Sequence, residues 1–510
     1  MGIKLFLLII FFAVMVGVGF YSRRHVKSVD GFVLGGRSVG PWLTAFAYGT
    51  SYFSAVVFVG YAGQFGWKYG IASTWIGIGN ALIGSLLAWV VLGRRTKVMT
   101  QHLRAKTMPD FFGQRYGSKA LKIVASVIVF VFLIPYTASV YNGLSRLFGM
   151  AFNIPYTWCV IAMAVFTAIY VILGGYMATA INDFIQGIIM LFGIVAVIAS
   201  VLNGQGGFME AVSKMAQIPS DVPATMGQPG AFTSFFGPDP LNLLGVVILT
   251  SLGTWGLPQM IGKFYAIKDE KSINTGTVIS TLFAIVISGG CYFLGGFGRL
   301  FDSAEIYNAE TGAVVYDSII PSMLSKLPDI LIGIVVVLVL SASMSTLSSL
   351  VLTSSSTMTL DLLKDNIMKE MSEKKQIITM QILIVFFIVV SVVIALDPPT
   401  FIAQLMGISW GALAGAFLAP FLYGLYWKGV TRAAVWASFA AGVGITVLNL
   451  FFHFIASPIN AGAIAMVAGL IVVPVVSVLT PKLKKDRVDE IFACYDEKVT
   501  ITKKRSLEQN

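Results

Sequence analysis

The sequence predicts an all-α polytopic membrane protein, and three observations carry this prediction. The chain of 510 residues is 56% hydrophobic and only 12% charged, about half the charged fraction of an ordinary soluble domain. Its apolar residues form continuous runs of about 20, the length of a helix that crosses a bilayer, whereas a β-barrel would show short alternating segments. Its Lys and Arg residues are concentrated in alternate loops.

The apolar runs define thirteen candidate membrane helices. They lie near 3–22, 41–65, 72–93, 123–148, 156–175, 181–203, 241–265, 274–298, 329–358, 376–396, 401–427, 431–455 and 460–481.

The basic residues predict the orientation of the chain. Of the 35 Lys and Arg residues, 29 fall in the loops that follow odd-numbered helices or in the C-terminal tail, and six fall on the other face. Because positive loops stay in the cytoplasm, we expect the N-terminus outside and the C-terminus in the cytoplasm. The net charge of +11 is therefore a signal of topology, and we expect the lipid bilayer rather than nucleic acid as the partner.

Motifs for enzymatic chemistry are scarce, so neither an enzymatic activity nor an organic cofactor is expected. His25, His102 and His453 are scattered without metal-ligand spacing, and no glycine-rich phosphate loop follows a strand. Asp183 is the only acidic residue that we place within an apolar run. We expect no Lys or Arg within a membrane span that could pair with the carboxylate of a solute. A lone carboxylate inside a span is a candidate functional residue.

Helix-breaking and hydroxyl-bearing residues interrupt two of the predicted helices. The second helix contains TAFAYGTSYFS at 44–54, and the seventh contains TSLGTWGLPQ at 250–259. Pro258 leaves one carbonyl without its donor, and Gly253 and Gly256 ease unwinding. In hydrocarbon a freed carbonyl needs a partner, which a bound cation or a polar solute can supply. A proline kink packed against neighbouring helices is the alternative interpretation.

The spacing of the two interrupted helices predicts an inverted repeat. They stand five spans apart, and since five is odd, the two five-helix units face opposite ways across the membrane. Broken helices in equivalent positions of inverted repeats are the sequence pointer to a midplane site in secondary transporters. The ninth helix adds hydroxyls, with SASMSTLSS at 341–349 and TSSST at 353–357, although many of these can bond to carbonyls of their own helix.

These features divide the chain into six segments. We assign 1–40 to an extra helix and a cytoplasmic loop, 41–203 to the first repeat, 204–240 to an extracellular loop, 241–427 to the second repeat, 428–481 to two further helices and 482–510 to a solvated basic cytoplasmic tail.

At these positions the chain resembles the sodium:solute symporter family, in particular its bacterial proline- and pantothenate-type members. The motifs that carry the resemblance are FVLGGRS at 32–38, GTS at 49–51, GG at 174–175, NDFIQG at 182–187, GLPQ at 256–259, AIKD at 266–269 and MSTLS at 344–348.

The resemblance implies a leucine-transporter-type fold and sodium-coupled uptake of a small organic solute, of the carboxylate or amino acid class, across the plasma (inner) membrane. It implies a sodium site and an adjacent solute site, with no obligate protein partner. The implied sodium ligands are the carbonyls of Thr50, Phe53 and Ala342, the hydroxyls of Ser345 and Thr346, and Asp183 on the inward path. The implied solute contacts are Ser51, Tyr52, Ser54, Tyr136, Thr254, Trp255, Pro258 and Gln259.

One departure from the family pattern bears on the solute. The proline transporters of this family carry an aspartate where this chain has Tyr52, and GLPQ with Tyr52 resembles pantothenate-type members more closely. Two other mechanisms stay open at this point. One is proton coupling through Asp183, which the expected lack of a second buried carboxylate disfavours. The other is a channel, which would favour a symmetric polar lining over two broken helices.

Overall fold

The computed structural model describes residues 2–23, 28–152, 154–397 and 401–495. Within these ranges the chain is helical apart from turns and two isolated β-bridges. Eleven helical runs of the described chain are long and apolar enough to cross a membrane. The predicted all-α membrane architecture is therefore confirmed.

The helices are numbered here in chain order. They are α1 Gly2–Ser22, α2 Val29–Leu34, α3 Pro41–Tyr52, α4 56–69, α5 74–102, α6 Met108–Tyr116, α7 Lys119–Phe152, α8 156–174, α9 176–204, α10 Phe208–Ala216, α11 Pro240–Gly253, α12 Pro258–Ala266, α13 Glu270–Gly295, α14 Ile319–Ser325, α15 Asp329–Ile367, α16 Glu373–Leu396, α17 Ile402–Tyr426, α18 Arg432–Phe452, α19 Pro458–Leu479 and α20 Lys485–Ala493.

The helical run from α8 to α9 turns back on itself at Gly175, where the backbone adopts φ +54° and ψ −146°. Both arms pack against α1. Phe12 stacks on Phe166 of the first arm with ring centroids 3.9 Å apart, while the Met15 carbonyl accepts a hydrogen bond from Asn182 of the second arm. At 1.5 Å per residue the run would extend about 70 Å if it were straight, more than twice the hydrocarbon thickness, and the turn folds it into a hairpin.

The predicted interruption of the second candidate helix lies between α3 and α4. The last helical residue of α3 is Tyr52, and Phe53 is extended with φ −108° and ψ 118°. Ser54 then accepts a hydrogen bond from the backbone N–H of Val56 through its Oγ at 3.2 Å, which starts the next helix. A hydroxyl that caps the new helix in this way competes with continuation of the old one.

The second interruption lies between α11 and α12 and follows from proline chemistry. Pro258 occupies the first position of α12, and Leu257 before it is extended with φ −87° and ψ 121°. Proline has no N–H for the preceding turn, and its ring disfavours the helical conformation of the residue before it. The chain therefore crosses this part of the bundle as two short helices.

Polar contacts join loops that the sequence assigns to the same face. The residue pairs on the predicted cytoplasmic face are Val39 with Ala266 and Lys268, Arg37 with Ala105, Lys106 with Asp30, Arg94 with Glu270, and Arg115 with Gly424. The pairs on the predicted outer face are Lys4 with Asp329, Arg146 with Asp317, Arg299 with Asp221, Tyr156 with Ala395, and Asn460 with Asn242.

The segment after Pro481 is not the wholly solvated tail that its charge predicts, and this expectation was wrong over the described residues. Residues 485–493 form α20, which buries Val488, Ile491 and Phe492. The guanidinium of Arg115 lies 4.9 Å from the ring of Phe492. The basic cluster at 503–505 lies outside the described residues.

Asp317 is a buried carboxylate in the loop before α14. Its Oδ2 accepts a hydrogen bond from the backbone N–H of Ile402 at 3.3 Å and lies 3.9 Å from Nε of Arg146. Burial raises the pKa of this carboxyl to about 6, and the attraction of Arg146 opposes this shift only in part. The loop is thereby fixed to the beginning of α17 and the end of α7.

We predict that Gly175→Ala destabilises the protein. A Cβ at this position would meet the backbone oxygen of Phe32 at 2.8 Å, and the positive φ strains any L-residue, so we expect a loss of about 1–3 kcal/mol. The measurement is thermal unfolding of the purified protein in detergent. Gly17→Ala is the matched control because a Cβ there meets nothing within 4 Å. Equal melting temperatures for the two variants would contradict the prediction.

We predict that Asp317→Asn changes how stability depends on pH. The unfolded carboxyl titrates near 3.8 and the folded one near 6, so between these values the folded protein retains a proton that the unfolded chain has lost. The free energy of unfolding of the wild type therefore falls as the pH rises through this range, by up to about 3 kcal/mol. The melting temperature of the Asn variant relative to that of the wild type should therefore be higher at pH 7 than at pH 4. Parallel profiles would exclude this role.

Candidate functional site

The end of α3 meets the middle of α15 through hydroxyl and carbonyl oxygens. Ser345 Oγ donates a hydrogen bond to Thr50 Oγ1 at 2.7 Å. Thr346 Oγ1 lies 3.4 Å from the carbonyl oxygen of Thr50, 3.5 Å from that of Ser51 and 3.1 Å from that of Ala342 on its own helix. Six oxygens from two helices thus lie close together, and four of the predicted sodium-site residues, Thr50, Ala342, Ser345 and Thr346, contribute to them.

The interruption of α3 makes these oxygens available. A helix leaves its last carbonyls without intrahelical donors, and Thr50 lies two residues before the end of α3. The amide N–H of Ala55, which the same interruption releases, donates to Ser343 Oγ at 3.2 Å. Phe53 and Ala342 line one small cavity of about 10 Å³ beside the interruption. The hydroxyls of α15 therefore meet the backbone groups that the break in α3 exposes.

Asp183 of α9 lies beside Ser345 and forms an ion pair with Lys263 of α12. Lys263 Nζ is 3.8 Å from Asp183 Oδ2 and donates a hydrogen bond to Ser349 Oγ at 2.9 Å. Both side chains of the pair are at most 3% exposed. The ammonium also lies 5.2 Å from the ring centroid of Tyr176. Three helices, α9, α12 and α15, therefore meet at this ion pair.

The expectation that no Lys or Arg lies inside a span was wrong, because Lys263 lies in the middle of α12. The predicted helix near 241–265 ends two residues after Lys263, and the count of basic residues assigned this lysine to the cytoplasmic loop. The helix that Pro258 starts continues to Ala266, so Lys263 has five helical residues before it and three after it. Pro258 was the sequence signal from which the position of Lys263 inside a helix could have been predicted.

Asp183 is also not the only buried carboxylate, contrary to the sequence-based expectation. Asp317 and Asp361 are each 1% exposed. Asp361 accepts a hydrogen bond from Thr107 and lies 3.2 Å from Lys122 Nζ, which also contacts Asp110 at 2.8 Å. The sequence placed Asp361 beyond the end of its span, whereas α15 continues to Ile367.

Two predicted solute residues, Tyr52 and Tyr136, lie against the same tryptophan. Tyr52 stacks on Trp410 of α17 with centroids 5.8 Å apart, and Tyr136 meets it edge-on at 5.9 Å. Tyr52 donates to the carbonyl of Thr250 at 2.5 Å. The hydroxyl of Tyr136 and the indole N–H of Trp410 are buried and make no hydrogen bond of good geometry within the described residues. The two groups lie beside each other, and Ser54 lies beside the same hydroxyl. The aromatic faces and the unpartnered groups together could hold a small solute.

Two other predicted solute residues face a different helix. Thr254 Oγ1 donates to the carbonyl of Gly84 at 3.1 Å, and Trp255 Nε1 donates to that of Ile83 at 3.0 Å. Both contacts are with α5, so the polar atoms of these side chains are engaged away from Tyr136.

The remaining three predicted solute residues lie toward the ion pair. Ser51 Oγ shares a hydrogen bond with Ser349 Oγ at 2.8 Å. Pro258 and Gln259 line a cavity together with Lys263. Both amide atoms of Gln259 are buried without a hydrogen-bond partner. The cavity has a volume of about 40 Å³, enough for only a few water molecules.

Sequence reasoning missed three residues at this site: Lys263, Ser349 and Trp410. Ser349 is one of many hydroxyls on α15, and its contact with Lys263 depends on the helix that Pro258 restarts. Trp410 stands in the apolar run of α17 with nothing to distinguish it from a lipid-facing tryptophan, yet it is fully buried.

Comparison with known proteins identifies the family. The sequence profile of the sodium:solute symporter family matches residues 32–442. The chain belongs to the sodium:solute symporter family. Sodium/proline symporters of Staphylococcus aureus strains JH9 and NCTC 8325 are 30% identical to it over 493 residues, which cover 93% of this chain and 92% of each relative.

Two solved structures show the same fold. A Na⁺-coupled sialic acid symporter aligns with a TM-score of 0.77 at 16% identity and covers 94% of this chain and 98% of its own. The nucleobase-cation-symport-1 family transporter Mhp1 aligns with a TM-score of 0.53 at 14% identity and covers 90% and 97%. Both have the leucine-transporter-type fold, which the resemblance implied.

Membership of this family establishes the general activity. The chain is a sodium-coupled symporter of a small solute and a multi-pass membrane protein, with sodium as its coupling ion. The family consists of carriers, so the protein is a transporter rather than an enzyme.

Proposed function

We propose that this protein imports proline, or an amino acid of closely similar size and charge, together with sodium bound where α3 is interrupted. The position of the Thr346 hydroxyl carries the sodium assignment. It stands among three backbone carbonyls, at distances that are long for hydrogen bonds and suitable for shared ligands of one cation.

The oxygen spacing supports a sodium-sized ion. Oxygen ligands of a hard cation of this size lie about 2.4 Å from the ion, so two ligands at right angles are about 3.4 Å apart. Thr346 Oγ1 is 3.4 Å from the carbonyl of Thr50 and 3.1 Å from that of Ala342. With Phe53 and Ser345, the proposed set has three carbonyls and two hydroxyls, which are neutral oxygens suited to a monovalent cation.

The helical layout supports thirteen crossings, ten of which form two inverted repeats. The hairpin at Gly175 makes α8 and α9 separate crossings, and α3 with α4 and α11 with α12 are each one interrupted crossing. Residues 41–203 and 241–427 then contain five crossings each, and each repeat begins with the interrupted one, as midplane binding sites in secondary transporters require. The segments 1–40 and 428–481 add one and two crossings.

The distribution of basic residues supports the proposed orientation. The loops that contact one another around Val39 and Ala266 belong to the lysine- and arginine-rich face, which the positive-inside rule assigns to the cytoplasm. We therefore propose an outer N-terminus, a cytoplasmic C-terminal segment and residence in the plasma (inner) membrane. Inward movement of one sodium ion at about −100 mV then supplies roughly 2.3 kcal/mol for solute uptake.

The relatives and the aromatic cluster support an amino acid as the solute. The named relatives are sodium/proline symporters. The rings of Tyr52, Tyr136 and Trp410 offer apolar faces to a small aliphatic ring, and the unpartnered hydroxyl and indole N–H offer hydrogen bonds to its carboxylate. Sodium at the adjacent site contributes positive charge. Tyr52 in place of the expected aspartate makes pantothenate the alternative.

In the proposed mechanism, sodium binding holds α3 against α15. With these two helices joined at Thr50 and Thr346, Tyr52 and Ser54 are fixed beside Tyr136, and the solute site is complete. Sodium then favours solute binding by its differential affinity for this arrangement. Release into the cytoplasm follows when the helices separate.

We predict that Thr346→Ala raises the sodium concentration for half-maximal uptake roughly tenfold or more, since a lost contact to a charged ligand costs about 1.5–3 kcal/mol. Uptake into proteoliposomes, measured against external sodium, tests this. Thr346→Ser should stay close to wild type because it retains the oxygen. Ser355→Ala is the control, since that hydroxyl bonds back to its own helix. Unchanged sodium dependence in Thr346→Ala would remove the assignment.

We predict that the purified protein exchanges labelled L-proline in counterflow, and that unlabelled proline competes more strongly than pantothenate. Counterflow requires a carrier, so it also separates this mechanism from a channel. A sodium gradient should drive net uptake, and a pH gradient alone should not, which separates sodium coupling from proton coupling through Asp183. Exchange of pantothenate but not of proline would overturn the solute proposal and leave the sodium assignment standing.

A further inference from the structure

The ammonium of Lys263 lies beside the buried carboxylate of Asp183, a position at which a free cation would be expected. A buried carboxylate in a membrane protein needs a positive partner, and Asp183 has Lys263 Nζ at 3.8 Å from its Oδ2. Among the described residues, no group donates a hydrogen bond of good geometry to either oxygen of Asp183. The lysine is therefore the charge that compensates Asp183.

Both members of the ion pair are connected to the proposed sodium ligands. On the lysine side, Lys263 donates to Ser349, whose Oγ shares a hydrogen bond with Ser51, and the Ser51 carbonyl lies 3.5 Å from Thr346 Oγ1. On the carboxylate side, Asp183 lies beside Ser345, which is the hydrogen-bond partner of Thr50 described above. Asp183 therefore lies directly beside one proposed sodium ligand, Ser345, and Lys263 is linked to another, Thr346, through three contacts.

We propose that Lys263 is a tethered counter-cation that occupies the cation position at Asp183, so that the protein binds one sodium ion per transport cycle and Asp183 is not a sodium ligand. This inference rests on the proposed sodium site at Thr50 and Thr346, and it revises the sequence-based assignment of Asp183. The covalent attachment of the ammonium to α12 keeps the positive charge in place whatever the sodium concentration.

The surroundings of the ion pair support this assignment. Like charges that share a low-dielectric site repel each other strongly, so a sodium ion on Asp183 would be destabilised by the ammonium beside it. The hydroxyls of Ser345 and Ser349 flank the pair. Together with the carboxylate, they form an oxygen set that could accept a cation if the lysine side chain were absent.

Equilibrium binding of ²²Na⁺ to the purified protein tests the proposal without knowledge of the solute. We expect one ion per chain in the wild type and two in Lys263→Met, because loss of the ammonium opens the position at Asp183. The double variant Lys263→Met with Asp183→Asn should return to one ion, since it removes both charges. Lys271→Met is the matched control, because that lysine is exposed, and it should bind one ion.

The outcomes separate this inference from the proposed function. Two ions on the wild type, reduced to one by Asp183→Asn, would overturn the inference and leave sodium binding intact. One ion on folded Lys263→Met would also overturn it. Binding of no sodium by the wild type would instead contradict the proposed sodium site. If Lys263→Met does not fold, the comparison of the wild type with Asp183→Asn and the double variant still decides.

Discussion

Hydrocarbon offers no hydrogen bond to a peptide group, so every carbonyl and N–H that a broken helix releases in a membrane must be met by protein, by water or by an ion. The interruption between α3 and α4 places this demand beside the most hydroxyl-rich stretch of the chain. Ser343 takes up one of the freed N–H groups, and Thr346 lies opposite freed carbonyls. The hydroxyl-rich sequence of α15 therefore supplies partners for the backbone groups that the interruption between α3 and α4 exposes. The packing of the surrounding helices keeps α15 in contact with this interruption.

The buried carboxylates of the described chain follow a second constraint, which is that buried charge must be compensated locally. Asp183 is compensated by Lys263, Asp361 by Lys122, and Asp317 in part by Arg146. These pairs join helices that are far apart in sequence. Breaking such a pair by removing one partner leaves an unpaired buried charge, which is more damaging than replacing both members by neutral groups.

Much of the fold could be predicted from the sequence because hydropathy and helix breakers act locally. The apolar helices and the two interruptions depend on runs of apolar residues and on Pro258. The face that we propose for each loop follows from the positions of Lys and Arg. The direction in which a side chain points from an interrupted helix depends on its neighbours, and therefore Thr254 and Trp255 turned out to face α5. Trp410 carries no local signal at all. In α20 three apolar residues, Val488, Ile491 and Phe492, recur at helical spacing among charged residues. The charge dominated the prediction, which was therefore a solvated segment.

Main-chain hydrogen bonds join the segment just before α3 to the end of α12, on the face that we propose to be cytoplasmic. The N–H of Val39 donates to the carbonyl of Ala266 at 3.2 Å, and the N–H of Lys268 donates to the carbonyl of Val39 at 2.9 Å. Side-chain replacement leaves such bonds intact. When they separate, water takes over each donor and acceptor, so the net loss is only about 1 kcal/mol per bond. A contact made of two such bonds can separate and re-form at a small cost in free energy. Because only main-chain atoms take part, it places little restriction on the amino acids on either side of the contact.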